Sequence, residues 1–206
     1  MIGKVVSHYK ILDKLGEGGM GVVYKAHDIK LDRDVALKFL PTHFPVTDEY
    51  ITRFELEAKA ISALNHPHIA TIYDVDEANG QKYIVLEYIS GGTLKSKLRR
   101  LKADGKELSI IEVLEFGIQI AGALSHAHRH QLNELIQLST QRYVAPLDIA
   151  SIFARLGEHE QALEWLEKAY QDRFSLLPWL KLDPRFDDMH SDSRFFALLK
   201  KIGLER

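Results

Sequence analysis

The sequence predicts an α+β protein, an antiparallel sheet with one helix at the start and an all-helical module at the C-terminal end. Three observations carry this. Strand-type residues flank tight turns twice, over 22–40 and over 73–88 around Asn79-Gly80, which predicts two β-hairpins. Ile110, Val113, Leu114, Ile118, Ala121, Leu124, Leu132, Leu135 and Ile136 recur about every 3.6 residues, which predicts one helix from about 109 to about 138. Helical patterns then follow from Pro146 to Gly203.

With 206 residues, 46% of them hydrophobic, the chain suits one domain or two small ones. A net charge of −2 supplies no basic field for nucleic acid. The absence of cysteine excludes disulfides, Cys-based zinc sites and a thiol nucleophile, and it fits a cytoplasmic protein. The N-terminus lacks an apolar signal region. The longest apolar run, from Ile110 to Leu124, is broken by Glu112, Glu115 and Gln119, so no membrane-spanning segment is expected.

In chain order, residues 8–15 alternate as a first strand. Gly16, Gly18 and Gly21 with Val23 then fit the pattern G-x-G-x-x-G-x-V, and Lys38 follows inside Val35-Ala36-Leu37-Lys38. A strand is expected over Val22–His27, a turn at Asp32-Arg33-Asp34 and a second strand over Val35–Leu40. Without a Cβ, glycine lets the backbone lie close over phosphates and turn N–H groups toward anionic oxygens. A dinucleotide-binding turn uses a similar spacing but enters a helix, whereas Val22-Val23-Tyr24-Lys25-Ala26 continues as strand. A helix is predicted over 47–64, where Tyr50, Phe54, Glu57, Ala58, Ile61 and Leu64 share one spacing. Asn65-His66-Pro67-His68-Ile69 ends it. After the second hairpin, Gly91-Gly92-Thr93-Leu94 opens a short helix reaching Arg100.

Over residues 8–130 these motifs resemble the small lobe of bacterial serine/threonine protein kinases, continuing into the helix before the catalytic loop. The resemblance implies an ATP site. Leu15, Val23 and Ala36 would hold the base from above, with Gly16, Gly18 and Gly21 over the phosphates. Lys38 would pair with Glu57 and meet the α and β phosphates. Leu86 would be the gatekeeper, and the backbone of Glu87 and Ile89 would contact the adenine edge. The competing reading of Lys38 and Glu57 is a solvated surface pair.

Downstream of His130 the chain carries no H-R-D-x-x-x-x-N, D-F-G or A-P-E. Glu115-Phe116-Gly117 matches D-F-G by letters alone, inside a predicted helix. The missing general base is worth about 10²–10⁴ in rate, and the missing carboxylate and amide would hold magnesium. No catalytic residue and no protein metal site is assigned; His126, His128 and His130 lack a third ligand.

Pro146 starts and Gly157 ends one helix of a hairpin whose second helix runs over about 159–172. Ala150, Phe153, Ala162, Leu166 and Ala169 resemble a tetratricopeptide repeat, although a generic helical hairpin accounts for them too. The long helix is expected to pack on this hairpin. The organisation expected is a small lobe and hinge over 1–90, a large-lobe remnant over 91–141 and a repeat-like tail over 142–206. The function expected is that of a truncated, pseudokinase-like serine/threonine kinase. It would bind ATP weakly, with magnesium only through the nucleotide, and would transfer no phosphate alone. A protein partner through the tail is expected, and neither nucleic acid nor membrane. The alternatives are a non-catalytic helical adaptor and a gene remnant.

Overall fold

A computed structural model describes residues 1–18, 21–40, 58–59 and 61–204. The chain divides into two compact units, Met1–Ala123 and Leu124–Arg206.

The first unit is built on a six-stranded antiparallel sheet. Its strands are β1 (Val5–Val6), β2 (Tyr9–Gly18), β3 (Gly21–Asp28), β4 (Arg33–Phe39), β5 (Ile72–Ala78) and β6 (Gln81–Glu87), in the order β1-β2-β3-β4-β6-β5. The β3–β4 hairpin turns earlier than the sequence suggested. Arg33 and Asp34 already pair with Asp28 and His27, and the turn occupies residues 29–32. The cause is Asp28, which is buried and accepts hydrogen bonds from the N–H groups of Lys30 (2.9 Å) and Leu31 (3.0 Å). A side chain that caps its own turn fixes the reversal just after itself. The β5–β6 hairpin turns at Asn79 (φ 53°) and Gly80 (φ 73°), the paired left-handed backbone that a two-residue hairpin demands.

One face of the sheet buries Ile11, Ala26, Val35, Leu37, Phe39, Tyr83 and Val85 with Val6 and Tyr9. The other carries a smaller cluster of Ala58, Ile72 and Ile84, with Val75 and Leu86 against it. The helix predicted over 47–64 lies largely outside the described residues; helical backbone is described at 58–59 and 61–62.

Helix α1 (Leu94–Ala103) starts on a reciprocal cap. Thr93 accepts from the Ser96 N–H, and Ser96 Oγ accepts from the Thr93 N–H. Helix α2 (Ile110–Ser139) is the single long helix that the periodicity predicted. Glu115-Phe116-Gly117 lies within it. By length and composition α2 is also apolar enough to cross a membrane, despite Glu112 and Glu115, although the core helix of a water-soluble protein meets the same criterion.

The second unit closes around α3 (Pro146–Arg155), α4 (His159–Gln171), two 3-10 turns (Leu177–Leu182 and Pro184–Met189) and α5 (Ser193–Ile202). Ala150, Ala162 and Ala169 are fully buried, so α3 and α4 approach closely, with Phe153 and Leu166 filling the seam. Leu132 joins this core, and Leu135 and Ile136 pack against it. The C-terminal half of α2 therefore packs with the hairpin, as expected. In its N-terminal half, which belongs to the first unit, Ile110, Ile111, Val113, Leu114, Ile118 and Ile120 are 53–78% exposed.

Asp183-Pro184-Arg185-Phe186 and Asp192-Ser193-Arg194-Phe195 repeat one local device. Each aspartate accepts from the N–H two residues on and pairs with that residue's guanidinium, and Phe186 and Phe195 stack in the core.

Candidate nucleotide site

Sheet register decides which of the candidate residues share a face. Val23, Lys38 and Ile84 are aligned across β3, β4 and β6, and Lys25, Ala36 and Leu86 form the next row on that face. Intervening residues such as Tyr24, Leu37 and Val85 point to the opposite face, where the larger core lies.

The glycine segment forms the end of the β2–β3 ribbon. Gly16 pairs with Val23 and Gly18 with Gly21, whose φ of 111° only glycine adopts without strain. A Cβ built on Gly16 or Gly18 meets nothing within 4 Å, so open space lies beside this backbone. That geometry fits a phosphate roof. Leu15 occupies a register shift between Lys14 and Gly16 and is 46% exposed. Gly19 and Met20 lie outside the described residues.

At the far edge, Leu86 is half-buried against the Ile72 and Ile84 cluster. Glu87 pins the end of β6. Its N–H donates to the Thr71 carbonyl (2.8 Å), and its carboxylate accepts from the Thr71 N–H (3.1 Å). Ile89 follows the strand end and is exposed. The structure thus gathers Gly16, Val23, Ala36, Lys38 and Leu86 on one face, with Gly18 and Gly21 closing the ribbon. Leu15 and Ile89 sit at exposed margins. Glu57 lies outside the described residues, as does its pairing with Lys38.

Sequence reasoning passed over a polar group on this face. Lys25 Nζ lies 2.7 Å from Asp34 and 4.6 Å from the centre of the Tyr88 ring, and His27 stands 3.3 Å from Asp34. Hydrogen bonds from Lys25 and His27 lower the Asp34 pKa, and the same Asp34 contact raises that of Lys25. The signal was available: Val23, Lys25 and His27 alternate along one strand, with an acid opposite the last. Lys25 is thus paired with Asp34, and Lys38, opposite Val23 on the same face, is half-buried.

Among the described residues no three His, Asp or Glu side chains converge as a metal site. On α2, burial and the charge of Arg155 lower the His128 pKa, and His130 faces Glu134 at 3.9 Å.

The protein kinase domain model matches residues 9–133, more than half of the chain. The chain belongs to the protein kinase domain family. It is 44% identical over 133 residues to the serine/threonine-protein kinase PrkC of Bacillus subtilis, covering 64% of this chain and 20% of that protein. It is 40% identical over 131 residues to the probable serine/threonine-protein kinase PknB of Lactococcus lactis, covering 63% and 20%. Among solved structures, the PknI kinase domain of Mycobacterium tuberculosis matches with a TM-score of 0.52 at 30% identity, over 63% of this chain and 51% of that one. The chain therefore spans about a fifth of these curated relatives and about half of that kinase domain. The match ends at residue 133, within α2. The sheet is that of a bacterial protein kinase small lobe. Members of this family use ATP with magnesium.

Proposed function

We propose that this protein is a kinase-like nucleotide binder that transfers no phosphate by itself. The observation that carries the reading is the shared face of Gly16, Val23, Ala36, Lys38 and Leu86, combined with a sequence holding no H-R-D or D-F-G after His130. The adenine lies against Ala36, Val23 and Leu15 and meets the backbone of Glu87 and Ile89. The phosphates lie under Gly16, Gly18 and Gly21 against Lys38. Magnesium, when bound, supplies charge neutralisation between phosphate oxygens and arrives with the nucleotide. Without an H-R-D or D-F-G carboxylate after His130 to accept the substrate proton or hold the metal, binding is weak and does not lead to transfer.

A second reading is favoured by the separate core of the helical unit, where α3 and α4 bury Ala150, Ala162 and Ala169. In that reading the chain is a cytoplasmic adaptor whose repeat-like tail holds a protein partner.

Purified protein incubated with radiolabelled ATP, magnesium and a general protein substrate tests the first reading. Nucleotide binding without label transfer is expected. Brisk magnesium-dependent transfer overturns it. A partner interaction that survives Lys38→Met but is lost on deleting 142–206 supports the second.

A further inference from the structure

We infer that Asp34 is a positioning residue for the nucleotide, fixing which end of the sheet face receives the phosphates. The inference rests on the nucleotide-binding reading above. Lys25 on β3 and Lys38 on β4 stand on one face, in adjacent rows of the sheet. Residues two apart along a strand are about 7 Å from each other, so both ammonium groups are within reach of one polyphosphate. An unpaired Lys25 would draw that anion against Ala36 and Leu86, where the base belongs.

Asp34 removes this competition. Its carboxylate lies 2.7 Å from Lys25 Nζ and accepts the hydrogen bond that raises the Lys25 pKa. The pair crosses from β3 to β4 and leaves Lys25 Nζ 4.6 Å from the centre of the Tyr88 ring, just past the end of β6. His27 steadies the carboxylate from the other side, with one ring nitrogen 3.3 Å from Asp34 and the other 3.2 Å from Asp32.

The strands around this pair carry the same balance. On β2, Asp13 lies opposite Lys25 and Lys10 lies opposite His27. Among the described residues, the carboxylates of Asp13, Asp32 and Asp34 therefore face Lys10, Lys25 and His27. Whether or not His27 is protonated, this margin holds no excess positive charge. It gives an anion no reason to settle there, and the phosphates go to the row of Gly16, Val23 and Lys38.

Calorimetry of the full chain with ATP, adenosine and inorganic tripolyphosphate tests the proposal, with circular dichroism as the check on folding. In the wild type, adenosine and tripolyphosphate are expected to bind side by side, and Lys38→Met to remove the tripolyphosphate. Asp34→Asn frees Lys25. Tripolyphosphate should then bind about fivefold more tightly, keep binding when Lys38→Met is added, and displace adenosine. Adding Lys25→Met to Asp34→Asn should abolish the gain, salt at about 1 M should erase it, and Asp34→Glu should behave as the wild type.

Equal tripolyphosphate affinity in wild type and Asp34→Asn, with ATP bound by both, overturns the role of Asp34 and leaves the nucleotide site standing. So does a gain that survives Lys25→Met, or displacement of adenosine by tripolyphosphate already in the wild type. A wild type that binds neither ATP nor tripolyphosphate overturns this inference and the nucleotide-binding reading together.

Discussion

Val23 lies directly across the sheet from Lys38. This pairing puts the last position of the glycine pattern and the lysine on one face, and Gly16, opposite Val23 on the other side, brings the glycine ribbon to the same place. The register of three strands, rather than any contact between neighbours in sequence, brings these residues together.

Replacing Lys38 by Met is therefore expected to abolish the thermal shift produced by ATP, with or without magnesium, and to leave the far-ultraviolet spectrum unchanged. Ligand at ten times its dissociation constant stabilises a protein by about 1.4 kcal/mol, so a tenfold loss of affinity removes most of the shift. Equal shifts in wild type and variant would count against nucleotide binding at this face.

Helix α2 offers an internal contrast. Leu132 is 5% exposed and belongs to the helical core, whereas Ile118 is 72% exposed. Leu132→Ala is expected to cost about 2–5 kcal/mol in urea unfolding, because it removes buried methyl groups and leaves a cavity. In dilute protein Ile118→Ala is expected to change stability by no more than about 0.5 kcal/mol. Similar costs at both positions would show that the whole helix is packed.

Phe186 and Phe195 are fully buried, with ring centres 6.3 Å apart. Phe195→Ala should cost about 3–5 kcal/mol and unfold the helical unit before the sheet. Hydrogen exchange followed by mass spectrometry would check this: residues 146–202 should lose protection while β3, β4 and β6 keep theirs.

Asp192 gives the helical unit an acid dependence. The Arg194 guanidinium and its backbone N–H hold the Asp192 carboxyl down to about 2. A carboxyl whose folded pKa is depressed is protonated first in the unfolded chain. Its contribution is complete above about pH 4 and is lost as the pH falls toward 2. The urea midpoint of the helical unit is expected to drop across this interval, and to drop less in Asp192→Asn, which keeps a capping oxygen but does not titrate. Equal slopes for the two proteins would refute the assignment.

Much of the fold was legible because its signals are local. Asn79-Gly80 marks a two-residue hairpin through its backbone requirement, and the 3.6-residue spacing from Ile110 to Ile136 marks one helix whatever surrounds it. The β3–β4 turn was misjudged because the choice between Asp28 and Asp32-Arg33-Asp34 depends on which aspartate is buried against its own turn. The Lys25–Asp34 pair was missed because charged strand residues read as solvated until their cross-strand partner is known.

Taken alone, the sequence determined the glycine pattern, the lysine strand, the absence of the catalytic-loop and metal-binding motifs, and the apolar periodicity of the long helix. All of these are matters of residue type and spacing. Tertiary structure alone decided that Gly16, Val23, Ala36, Lys38 and Leu86 share a face, because register is a relation between strands. It also decided that the same apolar stripe is buried at Leu132 and open at Ile118. Periodicity records that a helix has a face to hide, but what lies against that face depends on the elements that reach it in space.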